Sequence, residues 1–101
     1  MALTTGQYNT ALGSSALGSN TTASYNVAVG FQAGYGTTTG THNTFVGHQA
    51  GIAATTGLYT TAVGVDSGRS ITTSMGTFVG ANAGRNATGN QNTFVGSRSG
   101  S

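Results

Sequence analysis

The sequence predicts an all-β fold, a parallel β-solenoid (β-roll) of about six coils of roughly 17 residues each, and three observations predict it. A strand-like pentapeptide closed by glycine recurs along the chain, best preserved as Asn43-Thr-Phe-Val-Gly47. The closing glycines, Gly13, Gly30, Gly47, Gly64, Gly80 and Gly96, follow one another at intervals of 17, 17, 17, 16 and 16. The composition suits short strands joined by tight corners: 18 Gly among 101 residues, abundant Thr, Asn and Ser, no Pro, and only 4% charged residues where about a quarter is usual. So short a period excludes helix-pair repeats and falls below leucine-rich repeats, whereas it fits one solenoid coil.

Taken in order, the first unit runs from Thr4-Thr-Gly-Gln-Tyr8 through Asn9-Thr-Ala-Leu-Gly13 to Ala16 and Leu17. The second carries Tyr25, Asn26-Val-Ala-Val-Gly30 and Phe31-Gln-Ala-Gly34. The third, Thr38 to Gly51, has His42 where the others have tyrosine. The fourth gives Tyr59, Thr60-Thr-Ala-Val-Gly64 and Val65-Asp-Ser-Gly68. The fifth has Met75, Gly76-Thr-Phe-Val-Gly80 and Ala81-Asn-Ala-Gly84, and the sixth Gln91, Asn92-Thr-Phe-Val-Gly96 and Ser97-Arg-Ser-Gly100. Residues 1–101 therefore read as a single repeat domain. Each coil is expected to supply two short strands, and the small-residue segment after the closing glycine, as in His48-Gln-Ala-Gly51, to turn the chain again.

Alternation along a strand divides each unit between two faces. Thr10/Leu12, Val27/Val29, Thr44/Val46, Thr61/Val63, Thr77/Val79 and Thr93/Val95 share one side. Ala11, Ala28, Phe45, Ala62, Phe78 and Phe94 share the other. A thin coil closed opposite by Ala16, Ala33, Ala50, Ser67, Ala83 and Ser99 has room inside for only one of these columns. The alanine and phenylalanine column is expected to remain outside as an apolar stripe, which makes it the candidate oligomer interface. A wider monomeric coil burying both columns is the alternative. The asparagines Asn9, Asn26, Asn43 and Asn92 are read as a structural ladder of stacked amides.

These units resemble the head repeats of trimeric autotransporter adhesins, and still more the Asn-Thr-x-x-Gly-x-x-Ala-Gly-x-x-x-Thr-Thr-Gly repeats of phage tail fibres. The resemblance covers nearly the whole chain and rests on the four asparagines and six closing glycines; Thr60 and Gly76 depart from the asparagine position, and the period exceeds that of the adhesin head. It implies a homotrimer. It also implies an extracellular place, on a cell surface or a virion tail fibre, and a structural and adhesive role displaying weak multivalent sites to a cell-surface glycan or protein. The close on Gly100-Ser101, soon after a repeat boundary, suggests a piece of a longer fibre.

Chemistry is sparse. Asp66 is the sole carboxylate side chain, so a paired-carboxylate glycosidase is not expected, and with no lysine there is no phosphate loop. No Gly-x-Ser-x-Gly elbow occurs, and the chain is expected to be no enzyme and to need no cofactor or metal. The net charge of +2 comes from Arg69, Arg85 and Arg98 against Asp66, too few cations for a nucleic-acid footprint. No apolar run is long enough to span a membrane, and no signal peptide is recognisable. Candidate ligand contacts are the column Tyr8, Tyr25, His42 and Tyr59, whose rings suit sugars, and the matched pair Arg69 and Arg85, which suits an anion. Threonine-rich corners at Thr21-Thr22, Thr37 to Thr39, Thr55-Thr56 and elsewhere leave ice binding by a threonine ladder as the alternative function.

Overall fold

The computed structural model describes residues 7–70, 74–87 and 89–100. The corners Thr4-Thr5 and Thr72-Thr73 lie outside the described residues. The fold is a parallel β-solenoid of about five turns, stacked through six strands. These are β1 (Thr10–Leu12), β2 (Val27–Val29), β3 (Thr44–Val46), β4 (Thr61–Val63), β5 (Thr77–Val79) and β6 (Thr93–Val95). They form one sheet in chain order, each paired in parallel with the next and in register, so that Thr44 lies beside Thr61 and Phe45 beside Ala62. We call each turn of the chain a rung.

The strands are short because the backbone bends on both sides of them. Two residues before each strand sits a left-handed residue: Tyr8, Tyr25, His42, Tyr59, Met75 or Gln91, with φ between 55° and 61°. After each comes a glycine with φ between 125° and 132°, a conformation in which an L side chain is strained. At all but the last, Gly96, space forbids a side chain too, since a Cβ on Gly47 would meet the Gly64 carbonyl carbon at 2.7 Å. This double requirement explains the glycine period.

One strand per rung is found rather than two. The segment after the glycine turns the chain, as its small residues suggest, because positive φ recurs at alternate residues, as at Gln49 (59°) and Gly51 (61°). Ala50 N–H bonds to Gly47 O (3.1 Å), Ile52 to Gln49 (3.2 Å) and Ala54 to Gly51 (3.0 Å), a run of overlapping turns. These turns stack like strands, with Gly34 N–H bonding to Ala50 O and Gly51 to Ser67 O on the next rung (2.8 and 2.9 Å).

Asparagines tie the corners before the first three strands to the next rung. Asn43 Nδ2 donates to Gly57 O (2.8 Å), and Asn43 Oδ1 accepts from Thr60 N–H (2.9 Å), so one buried amide serves two backbone groups of the next rung. Asn26 repeats this with Gly40 and Asn43, and Asn9 with Ala23 and Asn26. The structural reading of this column holds, but its bonds run from amide to backbone and not from amide to amide.

The interior corrects the expected assignment of faces. Ala28, Phe45, Ala62 and Phe78 are fully buried, and Ala11 and Phe94 pack against them. The column expected to form an oligomer interface (Ala11, Ala28, Phe45, Ala62, Phe78, Phe94) is the core of one chain. Opposite it lie Ala16, Ala33, Ala50, Ser67 and Ala83, the small-residue wall expected there. The wider coil that buries both columns is not formed either, because the threonine and valine column faces outward. Over the first five rungs large side chains fill this thin core alternately: Leu17 in the first, Phe45 in the third and Phe78 in the fifth, with Ala28 and Ala62 between. The rings occupy the space that side chains at Gly34 and Gly76 would take, for a Cβ on Gly34 would lie 2.8 Å from Phe45 Cδ2, and one on Gly76 2.6 Å from Phe78 Cζ. Phe78 and Phe94, on successive rungs, stack at 5.7 Å.

Phe45→Ala is expected to cost roughly 3–5 kcal/mol in chemical denaturation, through lost burial and a cavity that the rigid ladder cannot close. Gly47→Ala should cost roughly 3 kcal/mol from strain and collision together, and Asn43→Ala about 2–4 kcal/mol by orphaning Thr60 N–H and Gly57 C=O, both read from the same unfolding curves.

Candidate functional site

Inverting the two columns creates a different surface from the one expected. From Tyr25 to Phe31 the chain alternates outward and inward: Tyr25, Val27, Val29 and Phe31 face solvent in whole or part, while Asn26 and Ala28 are buried. Repeated over the rungs, this builds a broad face of four parallel columns. The middle two come from the strands, Thr10, Val27, Thr44, Thr61, Thr77 and Thr93 beside Leu12, Val29, Val46, Val63, Val79 and Val95. None of the twelve is charged. Leu12 and Val95 on the outermost strands are each 67% exposed, and the inner valines less so because neighbouring rungs shelter them. A sheet face this apolar and this exposed is of the kind that marks an interface.

Aromatic ladders border the strands. Along one margin Tyr8 stacks on Tyr25 at 5.0 Å, Tyr25 on His42 at 4.8 Å and His42 on Tyr59 at 4.9 Å, with ring planes within 23° of parallel. Left-handed backbone at each of these positions points the rings along one line. The stacking also limits what they can hold: both ring faces of Tyr25 and His42 are covered by neighbours, so these rings offer edges and polar tips and no face for a sugar. Tyr8 and Tyr59, at the ends of the stack, have a ring neighbour on one side each and are 73% and 57% exposed. His42 Nδ1 also shares a 3.0 Å hydrogen bond with Thr41 Oγ1. Along the other margin Phe31 stacks on His48 at 5.3 Å, with Val65 exposed on the next rung. The two histidines thus sit in separate aromatic ladders, and among the described residues no three His, Cys, Asp or Glu side chains gather as a metal site.

The threonine corners are less regular than their sequence. Thr37 is buried and donates to Ala54 O (3.0 Å), and Thr21 donates to Thr38 O (3.1 Å), so these hydroxyls hold the backbone of the next rung. The evenly spaced outward threonines are those of the strands. That ladder was legible in the repeats, hidden only by the inverted assignment of faces.

Arg69 and Arg85 occupy equivalent positions on consecutive rungs, as Ala53 N–H bonding to Arg69 O and Ser70 N–H bonding to Arg85 O show (both 2.8 Å). Arg69 Nε lies 3.9 Å from Asp66 Oδ1 across the turn, both side chains partly exposed. At that length and exposure the pair contributes little to stability.

No protein family, no curated protein and no solved structure matches this chain.

Tyr25→Ala, which removes a ring stacked on both faces, is expected to lower stability by about 1–2 kcal/mol in urea unfolding.

Proposed function

We propose that this chain is a structural and adhesive module of a trimeric surface or phage tail fibre, a stiff solenoid whose function lies in its geometry. The observation that carries this reading is the four-column face, which holds no Lys, Arg, Asp or Glu. On a chain of 9.9 kDa, a threonine–valine sheet bordered by aromatic ladders stabilises best when a second copy covers it, and in-register columns let identical copies meet rung for rung. The resemblance of the repeats to fibre proteins supports three copies and an extracellular place on a cell surface or virion. Turn edges left outside such a trimer would each appear three times, so individually weak contacts with a cell-surface glycan or protein add through avidity.

A second reading has one observation in its favour. The outward threonines of β3 to β6 present hydroxyls at the rung spacing, about 4.8 Å, beside a row of valine methyls, and so rigid a lattice would order water against a neutral apolar floor. That reading is an ice-binding solenoid. It requires the face to be open in solution, whereas the fibre reading requires it to be covered.

Light scattering after size exclusion should give a mass near three times 9.9 kDa. Val46→Asp with Val63→Asp, on the outward face, should reduce it to one chain while the β-type circular dichroism persists. A wild-type monomer would overturn the trimer, and thermal hysteresis lost in Thr61→Lys would then establish the ice-binding reading.

A further inference from the structure

Four formally charged side chains occur in the whole chain, Arg69, Arg85, Arg98 and Asp66, and folding gathers all of them on one turn edge. Backbone register places them. Asn82 N–H bonds to Val65 O and Arg98 N–H to Ala81 O (both 2.8 Å), which sets Asp66, Asn82 and Arg98 in one column on three successive rungs. Ser70 N–H bonding to Arg85 O sets Arg69 and Arg85 in a second. The columns are the two ends of a single turn, which the preceding rung closes through Ile52 N–H to Gln49 O (3.2 Å), and the Asp66–Arg69 contact spans that same turn. With rungs about 4.8 Å apart and turn ends within about 7 Å, the three guanidinium-bearing positions form a contiguous diagonal two rung spacings long. All the Arg and Asp side chains of the chain are concentrated there.

We propose that this edge binds an acidic polysaccharide lying along the solenoid axis, with its carboxylates or sulfates on Arg69, Arg85 and Arg98. Guanidinium groups match planar oxyanions by paired N–H donors. The polar neighbours suit sugar hydroxyls: Asn82 lies between Asp66 and Arg98, and Ser70 and Asn86, both exposed, follow the two column arginines. One rung advances by about the rise of one sugar in an extended chain, so successive residues of the polymer meet successive rungs. Duplex nucleic acid fits poorly, because its phosphates need a longer run of cations than three. Asp66 closes one end of the strip. Its carboxylate draws on Arg69 and repels an anion approaching from that side, so it weakens binding and limits its length.

This names the ligand class within the glycan part of the fibre reading and rests on that part. It does not rest on the trimer, because the strip is complete within one chain. The test is retention of the full chain at low salt on immobilised heparin and on immobilised polygalacturonate, with neutral dextran and a DNA duplex as comparators and the mass of each variant recorded by light scattering. Wild-type protein should be retained on an acidic polymer, be released by salt and ignore dextran. Retention on heparin alone assigns sulfate as the anion, on polygalacturonate alone carboxylate, and on both a site open to either. Arg85→Gln with Arg98→Gln should weaken binding about tenfold at unchanged mass and unfolding midpoint. Asp66→Asn should strengthen it several-fold, an effect that a purely structural role for the Asp66–Arg69 pair does not produce. No retention on either polymer, equal retention on DNA, or indifference to both sets of substitutions overturns the proposal, whatever the oligomeric state.

Discussion

Everything in this solenoid depends on register: each residue lies beside its equivalent on the next rung, held there by backbone hydrogen bonds between rungs and not by a large core. Gly30 N–H reaches Leu12 O, Gly47 reaches Val29 O and Gly64 reaches Val46 O, all at 2.8 Å, while Thr10, Val27 and Thr44 bond in the opposite direction to the rung ahead. Because each rung is bonded on both sides, a choice of residue made in one unit is imposed on its neighbours. A glycine at φ near 130° sits against the carbonyl of the next such glycine, and a left-handed tyrosine sits against a left-handed histidine. Repetition in the sequence is thus a steric consequence of stacking.

The interior is thin, and this sets its composition. Between the inward strand column and the opposing wall there is space for alanine, with a large side chain at every second rung until Phe78 and Phe94 stack on successive rungs. Leu17 takes a position held by glycine in every later rung, where Ala11 and Ala28 leave space beside it; Gly34 and Gly51 recur where Phe45 claims that space. Apolar burial is therefore modest for the length of chain, and much of the specificity passes to polar groups. Asn26 and Asn43 are buried more completely than most of the outward valines, and each joins two rungs. At Thr60 and Gly76 the asparagine is missing, and there Thr60 Oγ1 reaches only its own rung, at Leu58 O (3.4 Å). In these later rungs the repeat is also shorter by a single position.

The fold was legible in the sequence because glycine at φ near 130° has no substitute, so its period survives when the rest of a unit drifts. Which side of the strand lies inside was harder to read. Threonine–valine and alanine–phenylalanine columns are both apolar enough to be buried, and phenylalanine beside a binding face suggests an interface. The deciding signal was parity. Asn43 and Phe45 are two residues apart and so share a side; an asparagine that bonds the backbone of the next rung must point inward, and it takes the phenylalanine with it. The second expected strand failed for a related reason. His48-Gln-Ala-Gly51 turns and does not extend because Gln49 adopts positive φ without being glycine, with its Nε2 donating to Oε1 of its equivalent Gln32 (3.0 Å). No residue-type preference announces that.

The surface follows the same logic with a different outcome. An in-register ladder turns each outward residue into a line of like groups, so an uncharged position becomes an uncharged face and a charged one becomes a strip. With one Asp and three Arg in the chain, their placement on adjacent rungs of one edge leaves the opposite margin and the strand face without acidic, Lys or Arg side chains. A neutral face gains by being covered, since little desolvation opposes its burial. A charged strip gains by remaining at the water boundary, where an oxyanion can exchange with solvent. The two surfaces therefore favour different neighbours, and register alone keeps them apart: a slip of one residue would turn Thr44 and Val46 inward and expel Phe45, removing core and face in the same step.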